Sequence, residues 1–179
     1  MNNKMLKIAS VLAKIGEILG WIADGVMVLL AIATLFFKDS LYQMLINGMD
    51  DGSLTVTGFD VSVLDYNDPF STVALFIAFL AGVVSCGFTA MIFRNIWLIT
   101  KSEKPFCKDT IRLVTEIGYF AISIPFIDIV FSVVLQLISH SSIEVSVDLT
   151  TVIYGFVVLC LAQFFKYGAE LEKDVDGLV

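Results

Sequence analysis

Residues 70–93 read FSTVALFIAFLAGVVSCGFTAMIF, an apolar stretch without a charged side chain. A helix rises about 1.5 Å per residue, so roughly 20 apolar residues cross a hydrocarbon core about 30 Å thick. The stretch is long enough to span a bilayer by itself. Three further apolar runs accompany it, at 18–37, 117–138 and 149–165. The last is the shortest, and must borrow length from 146–149 or let Lys166 snorkel toward the headgroups. The pattern predicts an all-α membrane protein: one four-helix transmembrane bundle over 1–179, with spans at about 15–37, 70–99, 112–138 and 147–167.

Composition agrees. The chain is 58% hydrophobic with a mean hydropathy of +0.88, and a water-soluble fold of that balance would expose apolar patches far larger than water tolerates. Lys4, Lys7 and Lys14 precede the first run, which is too long for a secretory signal and has no small-x-small cleavage pattern, so it is expected to stay as the first span.

Basic residues set the orientation, because short loops rich in Lys and Arg stay in the cytoplasm. Lys4, Lys7 and Lys14 lie before span one; Arg94, Lys101, Lys104, Lys108 and Arg112 surround the connection between spans two and three; Lys166 and Lys173 follow span four. Ten of the eleven basic residues thus share one side, and Lys38 alone is opposite. The protein is expected in a plasma membrane with both termini cytoplasmic and loops 38–69 and 139–148 outside. Asp39, Asp50, Asp51, Asp60, Asp65, Asp68, Glu144 and Asp148 fall in those outer segments, so much of the net charge of −7 is external. The spacing of these acids fits no defined calcium loop.

The outer segments alternate in polarity as strands do. Leu54 and Val56, then Phe59, Val61 and Val63 after Gly58, change phase at the glycine as at a β-bulge, and Ile143, Val145 and Val147 alternate likewise. Pairing of 53–63 with 143–147 would make a small extracellular β cap resting on the helix ends, since two strands alone are marginal in water. Neither outer loop contains a cysteine: Cys86 and Cys160 fall in spans and Cys107 in the inner connection, so no disulfide framework is implied. Lys104 and Lys108 would favour the Cys107 thiolate; the alternative is an ordinary loop cysteine.

Ionisable residues inside a bilayer are costly and are functional candidates by default. Asp24, Arg94, Glu116, Asp128 and Lys166 are the candidates here. Asp24 and Arg94 lie at similar depth, each roughly 10 Å inside its flanking charge by helical rise. They are expected to pair, with Glu17, Glu116 and Lys166 extending a polar layer. Asp128 follows Pro125, which leaves the Ala121 carbonyl without its helical donor, and it has no evident basic partner. It is expected to be protonated, serving either as a proton or ligand site or as a hydrogen-bonding group toward Gln136, Ser132 or a neighbouring helix. Gly16, Gly20 and Asp24 make a small and polar stripe suited to close helix approach, inside the subunit or across a homodimer contact.

Catalytic signatures are absent. His140 is the only histidine, and no HExxH, GxSxG or P-loop string occurs. The paired motifs of aspartyl intramembrane proteases do not surround Asp24 or Asp128. No catalytic residue, metal or cofactor is expected, and no direct nucleic-acid binding.

Two inner stretches carry a resemblance. Lys104-Pro105-Phe106-Cys107-Lys108-Asp109-Thr110-Ile111-Arg112-Leu113, followed by Ile117-Gly118, and Phe164-Phe165-Lys166-Tyr167-Gly168-Ala169-Glu170-Leu171-Glu172, with Asp174 and Asp176 following, are similar to the K-P-F connection and F-x-Y-G acidic ending of the bacterial DUF2975 membrane proteins. Arg112 and Leu113 stand in reversed order relative to that family's L-R step. The resemblance implies four spans and no settled activity. It also implies a partner, because family members are often encoded beside a small helix-turn-helix regulator. Pro105, Phe106, Arg112, Tyr167, Gly168 and Glu170 are the residues expected to contact that cytoplasmic DNA-binding protein, an acidic tail facing a basic regulator. Two functions follow as expectations: a non-enzymatic sensor or regulatory partner, or a small transporter or peptide-resistance protein using its intramembrane carboxylates. The lysines of the inner connection also suit anionic lipid headgroups.

Overall fold

A computed structural model describes residues 3–47, 55–56, 59–60, 70–102, 107–139 and 149–176. Among the described residues five helices are formed: α1 (Asn3–Phe36), α2 (Lys38–Asn47), α3 (Ser71–Lys101), α4 (Lys108–Ser139) and α5 (Leu149–Asp176). Four of them, α1, α3, α4 and α5, are long and apolar enough to cross a membrane. Large side chains remain uncovered along these helices: Leu29, Phe36, Leu137 and Phe164 are 68%, 75%, 73% and 69% exposed. Lipid tails solvate such faces where water would not, so the chain is an integral, multi-pass membrane protein.

Helix α1 starts at Asn3, about three turns before the expected span, because no proline or glycine interrupts 3–15 and its Leu, Lys and Ala residues favour helix. Its 34 residues correspond to roughly 50 Å, longer than a hydrocarbon core, so lysine-bearing turns extend beyond the apolar layer. Helix α4 runs without interruption through Pro125.

Helix α2 corrects the expectation that 38–69 is only a loop. Leu41, Met44 and Leu45 repeat at helical spacing, Asp39 stands in the first turn where it complements the helix dipole, and the sequence Asn47-Gly48 is a stop signal. The break from α1 is small, since the Phe37 amide bonds to Ala33 O at 2.8 Å and the Leu41 amide to Phe37 O at 3.0 Å.

The expected extracellular β cap finds no support among the described residues. Strand β1 (Thr55–Val56) pairs antiparallel with β2 (Phe59–Asp60), in register Thr55 with Asp60 and Val56 with Phe59. Thr55–Val56 and Phe59–Asp60 thus pair with each other, as residues close in sequence close a loop at lower entropic cost than distant ones. The expected partner 143–147 and the expected bulge at Gly58 lie outside the described residues.

Packing forms two compact units. The first comprises residues 1–20, 88–125 and 148–179. Its buried apolar residues are small or branched, including Ala13, Ala90, Val114, Ile117 and Ala162. Helices approach closely over glycine: a Cβ on Gly16 would meet the Phe93 ring at 2.6 Å, one on Gly20 would meet Ala90 Cβ at 2.9 Å, and one on Gly155 would collide with Ile122. The Gly16–Gly20 step is thus occupied inside the subunit, by α3. The second unit comprises 21–87 and 126–147. Ala74, Ala78 and Ala81 line one face of α3 with no exposure, and Phe79, Leu75, Leu135, Ala31 and Leu41 complete the core. Small side chains serve here because association within lipid depends on close packing rather than on expulsion of water.

Candidate functional site

In the second unit, the two intramembrane aspartates lie near positions 85 and 87 of α3. Ser85 Oγ donates to Asp128 Oδ1 at 3.2 Å. Of the expected partners for Asp128, the neighbouring helix is the one used. A Cβ on Gly87 would lie 4.0 Å from Asp24 Oδ1, and that oxygen is buried with no hydrogen-bond partner among the described residues. Residues two apart on a helix are separated by about 200°, so Ser85 and Gly87 address different sides of α3. Asp128 and Asp24 thus face different sides of α3.

The expected pairing of Asp24 with Arg94 is not supported. Among the described residues Asp24 Oδ1 has no hydrogen-bond donor, and Arg94 is exposed. A flexible cation on a helix surface can reach headgroups by snorkelling, which leaves the shorter Asp24 behind.

Polar groups in the first unit form local pairs. Glu116 accepts from the Asn95 amide at 3.2 Å through Oε2 and from Arg112 Nε at 2.8 Å through Oε1. Asn95 is buried, so this carboxylate satisfies a donor that has little access to water. Lys14 bonds Glu17 at 2.9 Å. Its ammonium also sits 4.3 Å from the Trp97 ring centre, while Lys101 sits 3.9 Å from the same ring. Two cations over one indole form a cation–π group of the kind that anchors helices at a membrane interface. Asn95, an amide inside an apolar run, and Trp97 beside a basic cluster were visible signals; Ser85 was not, since serine is unremarkable in a spanning helix.

Cys107 caps the start of α4. Its thiol lies 3.1 Å from the Thr110 hydroxyl, accepts from the Thr110 amide at 3.4 Å, and lies 3.7 Å from Ser102 Oγ. Thr110 Oγ1 also lies within hydrogen-bond distance of Ser102 Oγ, at 3.1 Å. These hydrogen bonds, those of Thr110 foremost, stabilise the thiolate and hold the Cys107 pKa below the ordinary thiol value. Lys108 is not among these causes, and Lys104 lies outside the described residues.

Helices α4 and α5 also border a cleft of about 330 Å³, lined by Lys108, Ile111, Lys166, Ala169, Glu170 and Lys173. The two inner stretches singled out in the sequence thus come together in the first unit. Lys166 and Glu170 line the cleft, Arg112 and Tyr167 are exposed, and Gly168 is half-buried. Pro105 and Phe106 lie outside the described residues. Among the described residues, no group of three or more His, Cys, Asp or Glu side chains is placed to hold a metal. No protein-family model, curated protein or solved structure matches the chain.

Proposed function

We propose that this protein is a non-enzymatic component of a bacterial plasma membrane, with both termini cytoplasmic, that responds at its outer face and acts through a cytoplasmic DNA-binding partner of the helix-turn-helix kind. The observation that carries the reading is the meeting of the two DUF2975-like stretches, where Lys108 and Ile111 of α4 share a cleft with Lys166, Ala169, Glu170 and Lys173 of α5. Beyond it, Tyr167, Leu171 and Glu172 are exposed. An apolar and acidic helix end complements a basic regulator and competes with phosphate for it. The Gly16–Gly20 stripe is engaged within the chain, so the proposal requires no homodimer.

Affinity capture of the intact protein from native bacterial membranes tests this. A small DNA-binding protein should be retained by the full chain and lost when 167–179 are removed. Charge reversal at Glu170 and Glu172 should weaken its retention. Capture that is indifferent to both changes, or recovers no such protein, rejects the reading. Orientation is checked separately: alkaline phosphatase fused after Asp51 should be active and after Val179 inactive.

A second reading, transport or peptide resistance through intramembrane carboxylates, is favoured by the unsatisfied Asp24 oxygen. Four spans are few for a secondary transporter, so this reading needs an assembled dimer. Proton-coupled flux in liposomes that disappears with Asp128→Asn or Asp24→Asn would support it. Equal flux with and without the protein removes it.

A further inference from the structure

We propose that the α4–α5 cleft, the same one on which the regulatory reading rests, is a binding site for the headgroup of an anionic phospholipid whether or not a protein partner docks beside it. Helical spacing builds the site. Lys166, Ala169, Glu170 and Lys173 stand at i, i+3, i+4 and i+7 of α5, and Lys108 and Ile111 at i and i+3 of α4, so each helix presents one face. Between these faces lies a volume of about 330 Å³, within the size range of small-molecule sites. Its lining combines three ammonium groups, one carboxylate and an apolar floor of Ile111 and Ala169. The ligand that suits it is anionic at one end and apolar at the other.

Placement favours a lipid over a soluble anion. Lys166 follows the apolar run 149–165 directly, so the cleft lies where α5 passes from apolar to charged. On the apolar side of Lys166, Leu161 and Phe164 are exposed within two turns, available to acyl chains. Basic recesses between spanning helices at the inner face recognise anionic headgroups by this combination of charge and position. Lys108 also begins α4, where the positive end of the helix dipole adds to the attraction. Glu170 limits the charge of the site and places one acceptor for a headgroup hydroxyl or ammonium.

Native mass spectrometry tests the site, using the full-length protein released from nanodiscs of phosphatidylcholine with one-fifth phosphatidylglycerol. The parent chain should retain phosphatidylglycerol in preference to phosphatidylcholine. Lys108→Gln, Lys166→Gln and Lys173→Gln should each reduce the retained fraction about fivefold, the change that corresponds to about 1 kcal/mol per lysine near a membrane surface. Lys4→Gln, remote in sequence and outside the cleft lining, should leave it unchanged. Glu170→Gln should raise retention, which keeps the test decisive if a lysine variant folds poorly. Equal retention in parent and lysine variants overturns the proposal, as does an equal loss in Lys4→Gln. Displacement of the lipid by millimolar inorganic phosphate would assign the cleft to a soluble anion instead. Capture of a protein partner through the same lysines, with lipid retention unchanged, would likewise overturn it.

Discussion

Ser85 Oγ stands 3.2 Å from Asp128 Oδ1 and ties α3 to α4 where each is surrounded by apolar residues. Interhelical hydrogen bonds in membranes average about 0.6 kcal/mol and reach about 1.7. Ser85→Ala should lower stability by about that range in detergent-titrated unfolding. Asp128→Asn keeps an acceptor and should cost less than Asp128→Leu. Equal stability of Ser85→Ala, Asp128→Leu and the parent would show that the contact contributes nothing.

Glycine contacts predict a steeper response. A side chain at Gly118 would meet Leu159 at 2.6 Å, and one at Gly155 would collide with Ile122 while facing the Gly118 carbonyl oxygen at 3.2 Å. Gly155→Val should therefore destabilise by about 1–3 kcal/mol, the usual range for overpacking. Gly25→Ala is the control: nothing lies within 4 Å of the added carbon, and alanine favours helix by about 0.5–1 kcal/mol. Thermal unfolding of both variants in one detergent should separate them in opposite directions.

Glu116 has two partners of unequal importance. Asn95 is buried and relies on it, whereas Arg112 is exposed. Glu116→Ala leaves the Asn95 amide without this acceptor and should cost about 1–3 kcal/mol. Arg112→Gln should cost only about 0.5 kcal/mol, as exposed helical ion pairs do. The same unfolding assay measures both, and an Arg112 effect equal to that of Glu116 would contradict this ranking.

Cys107 predicts a pH profile. With Cys86→Ala and Cys160→Ala in the background, iodoacetamide labelling should follow the thiolate of Cys107 alone. Because hydrogen bonds lower its pKa, labelling should reach half its plateau rate below the pH of an unstructured thiol. Thr110→Val removes the hydroxyl and should move the midpoint upward. In linkage terms, a depressed pKa favours the fold above the ordinary thiol value, and that contribution is lost as pH falls through the lowered one. A midpoint unmoved by Thr110→Val would remove the hydroxyl from the account.

How much was legible in the sequence differs between fold and site. Uncharged runs such as 70–93 announce helices because an unpaired backbone in hydrocarbon is so unfavourable that helix is the remaining solution for one continuous segment. Helix α2 was also written in the chain, in Leu41, Leu45 and Asp39, but a ten-residue amphipathic segment gains stability mainly by docking. Its Leu41 is buried in the Ala74–Phe79 core. The strand alternation in 53–63 was legible as strand character, yet alternation cannot specify which partner a strand chooses.

The sequence by itself determined that four segments are membrane-spanning helices and which side chains are too polar for lipid, because transfer energetics act residue by residue. Tertiary structure alone decided where those polar groups go. It placed Asp128 on Ser85, Glu116 between Asn95 and Arg112, Asp24 Oδ1 beside Gly87 with no donor among the described residues, and Lys166 in a cleft with Lys108 and Lys173. These partnerships depend on the rotation of each helix about its axis. That rotation follows from the contacts of Gly16, Gly20, Gly118 and Gly155 with particular neighbours, and a pattern of hydropathy along one segment does not contain it.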